Sequence, residues 1–126
     1  MEATAEAPEV EPVLPLFNVG VGPDDIDVAV FPSLEEAKGF MEPPEVLDHT
    51  DDLYDALARR ARPEVRGSNV GITGFEPIPE EQSFKERVAR LLAAIGHPID
   101  PDRVPMTEFT RYAYRVISDW QRRWKR

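Results

Sequence analysis

Residues 26–41, IDVAVFPSLEEAKGFM, place a short strand directly before a capped helix. The β-branched residues Ile26, Val28 and Val30 occupy every second position, which is the period of a strand. Ser33 and Glu36 then form the S-x-x-E pattern of a capping box, so a helix is predicted to begin here. Prolines at positions 43 and 44 end this helix, because proline has no amide proton to donate.

Two longer helices are predicted in the carboxyl-terminal third, over residues 79–95 and 107–124. In the first, apolar residues repeat at spacings of three and four, and glycine follows at the expected helix end. The predicted fold class is α+β, a small antiparallel sheet with helices packed on one face. The predicted core consists of Val28, Val30, Leu34, Phe40, Phe84, Val88, Leu91, Leu92, Ile95, Ala113, Val116 and Ile117.

The segment 45–75 allows two interpretations. By propensity, DDLYDALARRA (51–61) is a helix, with apolar residues at a spacing of four. Alternatively, residues 50–62 belong to a hairpin that leads into a further strand, NVGITGF (69–75). Strands are favoured, because a single strand at 26–31 cannot satisfy its own backbone groups and only this region can supply partners.

The amino-terminal residues 1–24 are rich in proline and glutamate and show neither a helical nor a strand period. They are predicted to form a disordered acidic arm, followed by a single domain over 25–126. The arm contains one apolar cluster, which is expected to dock on the domain or on a partner. Its members are Val13, Leu14, Leu16 and Phe17.

Charge is distributed unevenly along the 126 residues. Residues 1–55 contain fifteen acidic residues and one basic residue, whereas residues 56–126 contain nine acidic and fourteen basic residues. No stretch is apolar enough to span a membrane, and the acidic amino terminus does not resemble a secretory signal. The chain contains no cysteine, which excludes disulfides and thiolate metal sites. A cytoplasmic location is expected.

No constellation of catalytic residues is recognisable, so the chain is not expected to be an enzyme or to bind a cofactor. The glycines of NVGVGPDD and NVGITGF match neither the dinucleotide-binding fingerprint nor the phosphate loop. His49 lies among several acids, but the segment lacks the glycine and terminal glutamate of a calcium loop. A solvated acidic surface is predicted there, and no metal site.

The uneven charge suggests a protein that binds another protein with a basic surface, since opposite charges accelerate encounter. The expected contact residues are Glu42, Glu45, Asp48, Asp51, Asp52, Tyr54 and Asp55, with Tyr54 as an aromatic anchor. The alternative is a nucleic-acid-associated or phage-type accessory protein that uses the basic helix end, residues 122–126. Nucleic acid is the less favoured partner, because the net charge is −9.

The stretches DVAVFPSLEEAKGFMEPPEV (27–46) and LYDALARRARPEV (53–65) resemble small uncharacterised actinobacterial proteins. Their shared pattern is a strand ending in V-[FY]-x-S, a helix of the E-E-A type and a Y-D-A-x-x-R-R hairpin. Ala58 stands where those proteins usually have a glycine in the hairpin turn. Some of them look like immunity proteins encoded beside toxins, so the resemblance over residues 26–75 implies a non-catalytic, immunity-like role.

Overall fold

The structure is a computed structural model that describes residues 11–20, 28–40 and 51–124. These residues form an α+β fold, which confirms the predicted class. The strands are β1 (Leu16–Gly20), β2 (Val28–Phe31), β3 (Asp51–Tyr54), β4 (Ala61–Arg66) and β5 (Asn69–Phe75). The helices are α1 (Leu34–Phe40), α2 (Glu81–Ala94) and α3 (Met106–Trp124).

The described strands form two antiparallel sheets. One has three strands in the order β2-β1-β3, and the other is the β4-β5 hairpin. In the larger sheet Phe17 of β1 lies opposite Val30 of β2 and Tyr54 of β3. The hairpin turns at Gly67, whose φ of 62° lies in the left-handed region that glycine adopts readily.

Strand β1 corrects the prediction of a disordered arm, because residues 16–20 form the central strand of the larger sheet. The sequence shows no strand period here, because both faces of this strand are covered and its side chains do not alternate between buried and exposed. Leu16 and Phe17 are fully buried. Residues 1–10 and 21–24 of the predicted arm lie outside the described residues.

The segment after residue 50 consists of strands, as favoured, but it does not fold as one regular hairpin. Strand β3 pairs with β1, and β4 pairs with β5. Between β3 and β4 there is an isolated bridge that joins Tyr54 and Arg60. The predicted strand–turn–strand segment therefore links the two sheets.

The larger sheet has a core on each face. Helices α2 and α3 pack together on one face, where Phe84 makes edge-to-face contacts with Phe17 and Tyr54 at centroid distances of 5.1 and 5.3 Å. On the other face, Leu16, Phe31 and Leu53 belong to a second cluster that includes Ala37 of α1 and side chains of the hairpin. Helix α1 thus does not share the face of the two longer helices.

The helix ends follow the predicted chemistry in most details. The Glu36 amide donates to the Ser33 hydroxyl at 3.3 Å, as a capping box requires. At the end of α2, Gly96 has a φ of 91°, and the His97 amide donates to the Leu92 carbonyl at 2.8 Å. This is a Schellman motif, and it ends α2 at the predicted glycine.

Most of the predicted core residues are buried, including Val28, Val30 and Leu92. Leu34, Ile95 and Val116 are only partly buried, because each lies at the margin of a cluster and not at its centre. The side chain of Phe40 lies outside the described part of the chain.

Candidate functional site

Two members of the predicted acidic contact surface are buried. Tyr54 and Asp55 each have 0% of their surface exposed, so neither side chain is available to a partner. Tyr54 packs against Phe84 in the core, and the Asp55 carboxylate is enclosed by its own turn. The prediction that these two residues form the anchor and part of the face is therefore wrong.

Asp55 organises the turn between β3 and β4. Its carboxylate accepts hydrogen bonds from the amides of Leu57 and Arg59 at 3.0 and 2.9 Å and from the Arg59 guanidinium at 2.7 and 2.9 Å. It also accepts one from the amide of Val13 at 3.0 Å. The Arg59 Nη2 atom in turn donates to the Glu11 carbonyl at 3.0 Å. The pair therefore fastens residues 11–13 to the turn.

Asp52 is engaged in ion pairs inside the molecule. Its carboxylate lies 3.0 Å from Arg87 Nη1 and 3.7 Å from Arg60 Nη1, and its side chain is 20% exposed. Arg60 also contacts Glu80 at 2.7 Å. These four charged groups surround the Tyr54 hydroxyl, which accepts from Arg87 at 3.1 Å. Opposite charges in this cluster balance, so it does not form an acidic patch.

The surroundings of this cluster shift two pKa values. Burial, followed by the negative charges of Asp52 and Glu80, raises the pKa of Tyr54. Burial alone would lower the pKa of Arg60, but the hydrogen bond with Glu80 and the charge of Asp52 raise it above its usual value. Both shifts keep the protonated forms, a neutral phenol beside a charged guanidinium, over the physiological range.

The remaining acidic residues of the predicted face are Asp51, Glu42, Glu45 and Asp48. Asp51 begins β3, and its side chain lies outside the described part of the structure. Glu42, Glu45 and Asp48 fall within 41–50, which also lie outside it. The side chains of the predicted face that the structure describes are therefore those of Asp52, Tyr54 and Asp55.

A second feature is an apolar groove of about 350 Å³ between the segment before β1, the turn after β3 and the first half of α3. Four large apolar side chains are exposed among the described residues, and Val13, Leu14 and Leu57 of these line the groove. The remaining lining residues are Pro15, Ala56, Thr107, Thr110, Arg111 and Tyr114.

The four predicted docking residues differ in burial and form two pairs. Leu16 and Phe17 dock in the core, whereas Val13 and Leu14 stay 42% and 50% exposed. Leu14 also borders an adjoining depression of about 430 Å³ beside the β4-β5 hairpin. Leu57 and Tyr114 were not among the predicted site residues, because their place in the groove depends on packing that no local pattern reports.

The basic end of α3 is partly neutralised. Arg122 and Arg123 both pair with Asp119, at 3.5 and 3.0 Å, although both arginine side chains are 74% exposed. The side chain of Trp124 and residues 125–126 lie outside the described part of the chain. A continuous basic surface at this end therefore stays a prediction.

Within 11–20, 28–40 and 51–124 no three or more histidine, aspartate or glutamate side chains are gathered as metal ligands would be. No helix of this part of the chain combines the length and apolar character that crossing a membrane requires.

The chain matches no protein-family model, no curated protein and no solved structure at a significant level of similarity.

Proposed function

We propose that this chain is a non-catalytic protein-binding module, of the adaptor or immunity-like kind, whose contact surface is centred on the apolar groove. The observation that carries the proposal is the concentration of exposed apolar side chains at one place. Single exposed apolar residues are ordinary on protein surfaces, but several that line one depression are typical of interaction sites.

The groove has the composition of an interface core with a polar margin. Covering the exposed parts of Val13, Leu14 and Leu57 would contribute on the order of 1 kcal/mol for each side chain. Thr107 and Arg111 on α3 border the same depression and can form hydrogen bonds with a partner's backbone or carboxylates. Specific recognition needs both kinds of contact.

The partner that we propose is a protein with a basic surface. The support is the excess of acidic residues in the first 55 positions, of which Glu11, Glu35 and Glu36 are exposed among the described residues. Glu11 adjoins the apolar groove, because it borders the depression that Leu14 shares. We also propose a cytoplasmic location, which rests on the absence of cysteine and on the composition.

The test compares a double substitution in the groove with a single substitution outside it, both at exposed apolar residues. Leu14→Ser combined with Leu57→Ser alters the groove, whereas Ile78→Ser alters an exposed side chain, at 75%, that does not line it. A partner is first isolated by cross-linking in the native host, and its affinity is then measured by calorimetry. The groove variant should bind about tenfold more weakly or worse, which corresponds to 1.4 kcal/mol.

The control decides how this loss is interpreted. Ile78→Ser should change the affinity less than about twofold, since isolated surface positions contribute little to binding. Thermal melts of both variants should match the wild type. Equal affinities for the groove variant and the wild type would place the contact surface elsewhere and contradict the proposal.

A second candidate function is binding of single-stranded nucleic acid by the end of α3. The observation that favours it is the exposure of Arg122 and Arg123 on one turn. Mobility shifts with oligonucleotides at low salt should then be abolished by the double substitution Arg122→Glu and Arg123→Glu. An absence of any shift for the wild type would eliminate this candidate.

A further inference from the structure

Strand β2 forms one edge of the three-stranded sheet, and among the described strands none lies on its outer side. Its outward-pointing backbone groups at Val30 are nevertheless bonded. The Val30 amide donates to Gln121 Oε1 at 2.9 Å, and Gln121 Nε2 donates to the Val30 carbonyl at 3.2 Å. One side-chain amide of α3 therefore satisfies both groups of one edge residue.

This pair of bonds is the pair that a neighbouring strand would make. In an antiparallel ladder, directly opposed residues of a hydrogen-bonded pair exchange one N–H···O bond in each direction. The Gln121 carboxamide has the same donor and acceptor as a peptide group, and it lies where that group would lie. The edge of β2 therefore already binds an amide group within the molecule.

Space for a longer occupant exists beside the edge. A groove of about 590 Å³ separates β2 and α1 from the part of α3 that runs from Tyr114 to Arg122. Val30 and Pro32 line one side of it, while Tyr114, Ser118 and Gln121 line the other. The volume lies within the range of ordinary ligand-binding clefts.

We propose that the outer edge of β2 is a strand-addition site, held closed by Gln121, and that its occupant is the same edge of a second copy of this chain. Backbone groups of alternate residues point to the same side, so the occupant pairs with Val28 and Val30. Pro32 has no amide proton and ends the pairing there.

Opening this site requires the end of α3, which packs against β2, to move away from the strand. The carboxamide bonds are replaced by backbone bonds of the same kind, so the exchange of partners leaves the number of hydrogen bonds at Val30 unchanged. Gln121 lies in the last turn of α3, where helices fray most readily. This inference goes beyond the proposed function, because it concerns a different surface and a different mode of contact.

The experiment uses a second copy of the chain as the probe, since β2 itself presents such an edge. Gln121→Ala removes the carboxamide, and Ser118→Ala is the matched control, because Ser118 lines the same groove. Self-association is measured by analytical ultracentrifugation over a wide range of concentrations. The association constant of the Gln121 variant should rise about tenfold or more above those of the wild type and the control, as two gained backbone bonds would give.

Hydrogen exchange at the Val30 amide shows whether the edge is the contact. In the Gln121 variant this amide should exchange rapidly at low concentration and become protected as dimers form. Association without protection at Val30, or no greater association than in the Ser118 control, overturns the proposal. If Gln121→Ala does not fold, Gln121→Met keeps the length of the side chain without the amide and gives the same comparison.

The two surfaces can be tested independently. Self-association through β2 should be stronger for Gln121→Ala than for the wild type and should not change with Leu14→Ser. A partner that binds the apolar groove should bind Leu14→Ser more weakly than the wild type and should bind Gln121→Ala with unchanged affinity. The binding of these two variants therefore shows which of the two proposals has failed.

Discussion

At the scale of single residues, Asp55 shows how a buried carboxylate can be structural. It is fully buried and its accepted hydrogen bonds come from two backbone amides of its turn, from the Val13 amide and from the Arg59 guanidinium. Removing one member of such a buried ion pair strongly destabilises the fold, because the charge of the other member stays buried without compensation.

We therefore expect Asp55→Ala to lower the free energy of unfolding by about 3–5 kcal/mol, measured by urea denaturation. The control is Asp119→Ala, which also removes an arginine-paired carboxylate, but one whose side chain is 51% exposed. Its loss should stay below about 1 kcal/mol, because exposed ion pairs contribute little. Similar losses for both variants would show that the Asp55 network does not hold the turn.

Ala58 occupies a backbone conformation that normally favours glycine. Its φ is 64°, and its methyl group is fully buried in the core. Ala58→Gly relieves the strain of the left-handed conformation, which stabilises the fold by about 1 kcal/mol. It also removes a buried methyl group, at a cost of about 0.8 kcal/mol, and increases the entropy of the unfolded chain, which lowers stability further.

The stability of Ala58→Gly should accordingly stay within about 1 kcal/mol of the wild type in a chemical melt. Ala58→Val, by contrast, should lose more than about 2 kcal/mol, because a β-branched residue is strained at positive φ and its two additional methyl groups must fit into a fully buried position. A valine variant as stable as the glycine variant would show that the turn tolerates another conformation.

Tyr54 makes stability depend on pH in the alkaline range. Its pKa is raised by burial and by Asp52 and Glu80, so the folded state holds the phenolic proton more tightly than the unfolded state does. The resulting stabilisation is complete below the unfolded pKa of about 10 and is lost as pH rises through the folded pKa.

Tyr54→Phe removes this titration. Urea denaturation at a series of pH values above about 9 should show a shallower loss of stability for the variant than for the wild type. At neutral pH the variant should be less stable by about 1 kcal/mol, since Arg87 loses its contact with the hydroxyl. Parallel pH profiles for the two proteins would contradict the assignment.

At the scale of elements, helix α2 tests whether the apolar stripe is a core face. Leu92 is fully buried in the cluster that α2 forms with the sheet and α3, whereas Arg90 on the same helix is exposed. Leu92→Ala should lower the free energy of unfolding by about 2–5 kcal/mol, and Arg90→Ala by less than about 0.5 kcal/mol, in urea titrations. A small loss at Leu92 would mean that the helix packs loosely.

The elements that the sequence predicted well are those with a strong local signal. Helix α2 carries a regular apolar stripe and ends at Gly96, and β2 has a clear period of two. Strand β1 was missed because a strand covered on both faces has no such period, and because prolines at 12 and 15 suggested a disordered arm. Local pattern cannot report contacts that are formed only in the folded sheet.

The candidate sites illustrate the same limit. The composition drew attention to Val13 and Leu14 as members of an apolar cluster, but their exposure depends on how the turn and α3 pack around them. The acidic face was inferred from charge along the sequence, and sequence distance does not reveal that Asp55 is buried beside Arg59. The bonds between Gln121 and Val30 join residues 91 positions apart, which no local pattern predicts.

At the scale of the whole molecule, the charge asymmetry makes a prediction about association rates. The chain has a net charge of −9, and its acidic excess lies in the first 55 residues. A basic partner should therefore associate faster at low than at high ionic strength, because long-range attraction is screened over about 10 Å at 0.1 M salt. The same field should have little effect on dissociation.

Two charge reversals separate a local acidic face from net charge alone. Glu11→Lys and Asp102→Lys change the net charge equally, but Glu11 adjoins the apolar groove and belongs to the acidic half, whereas Asp102 lies in the basic half. Stopped-flow association with the isolated partner should be slowed severalfold by Glu11→Lys and much less by Asp102→Lys, with the difference vanishing at high salt. Equal slowing would show that only net charge steers the encounter, and no slowing by either variant would mean that the partner's contact surface is not basic.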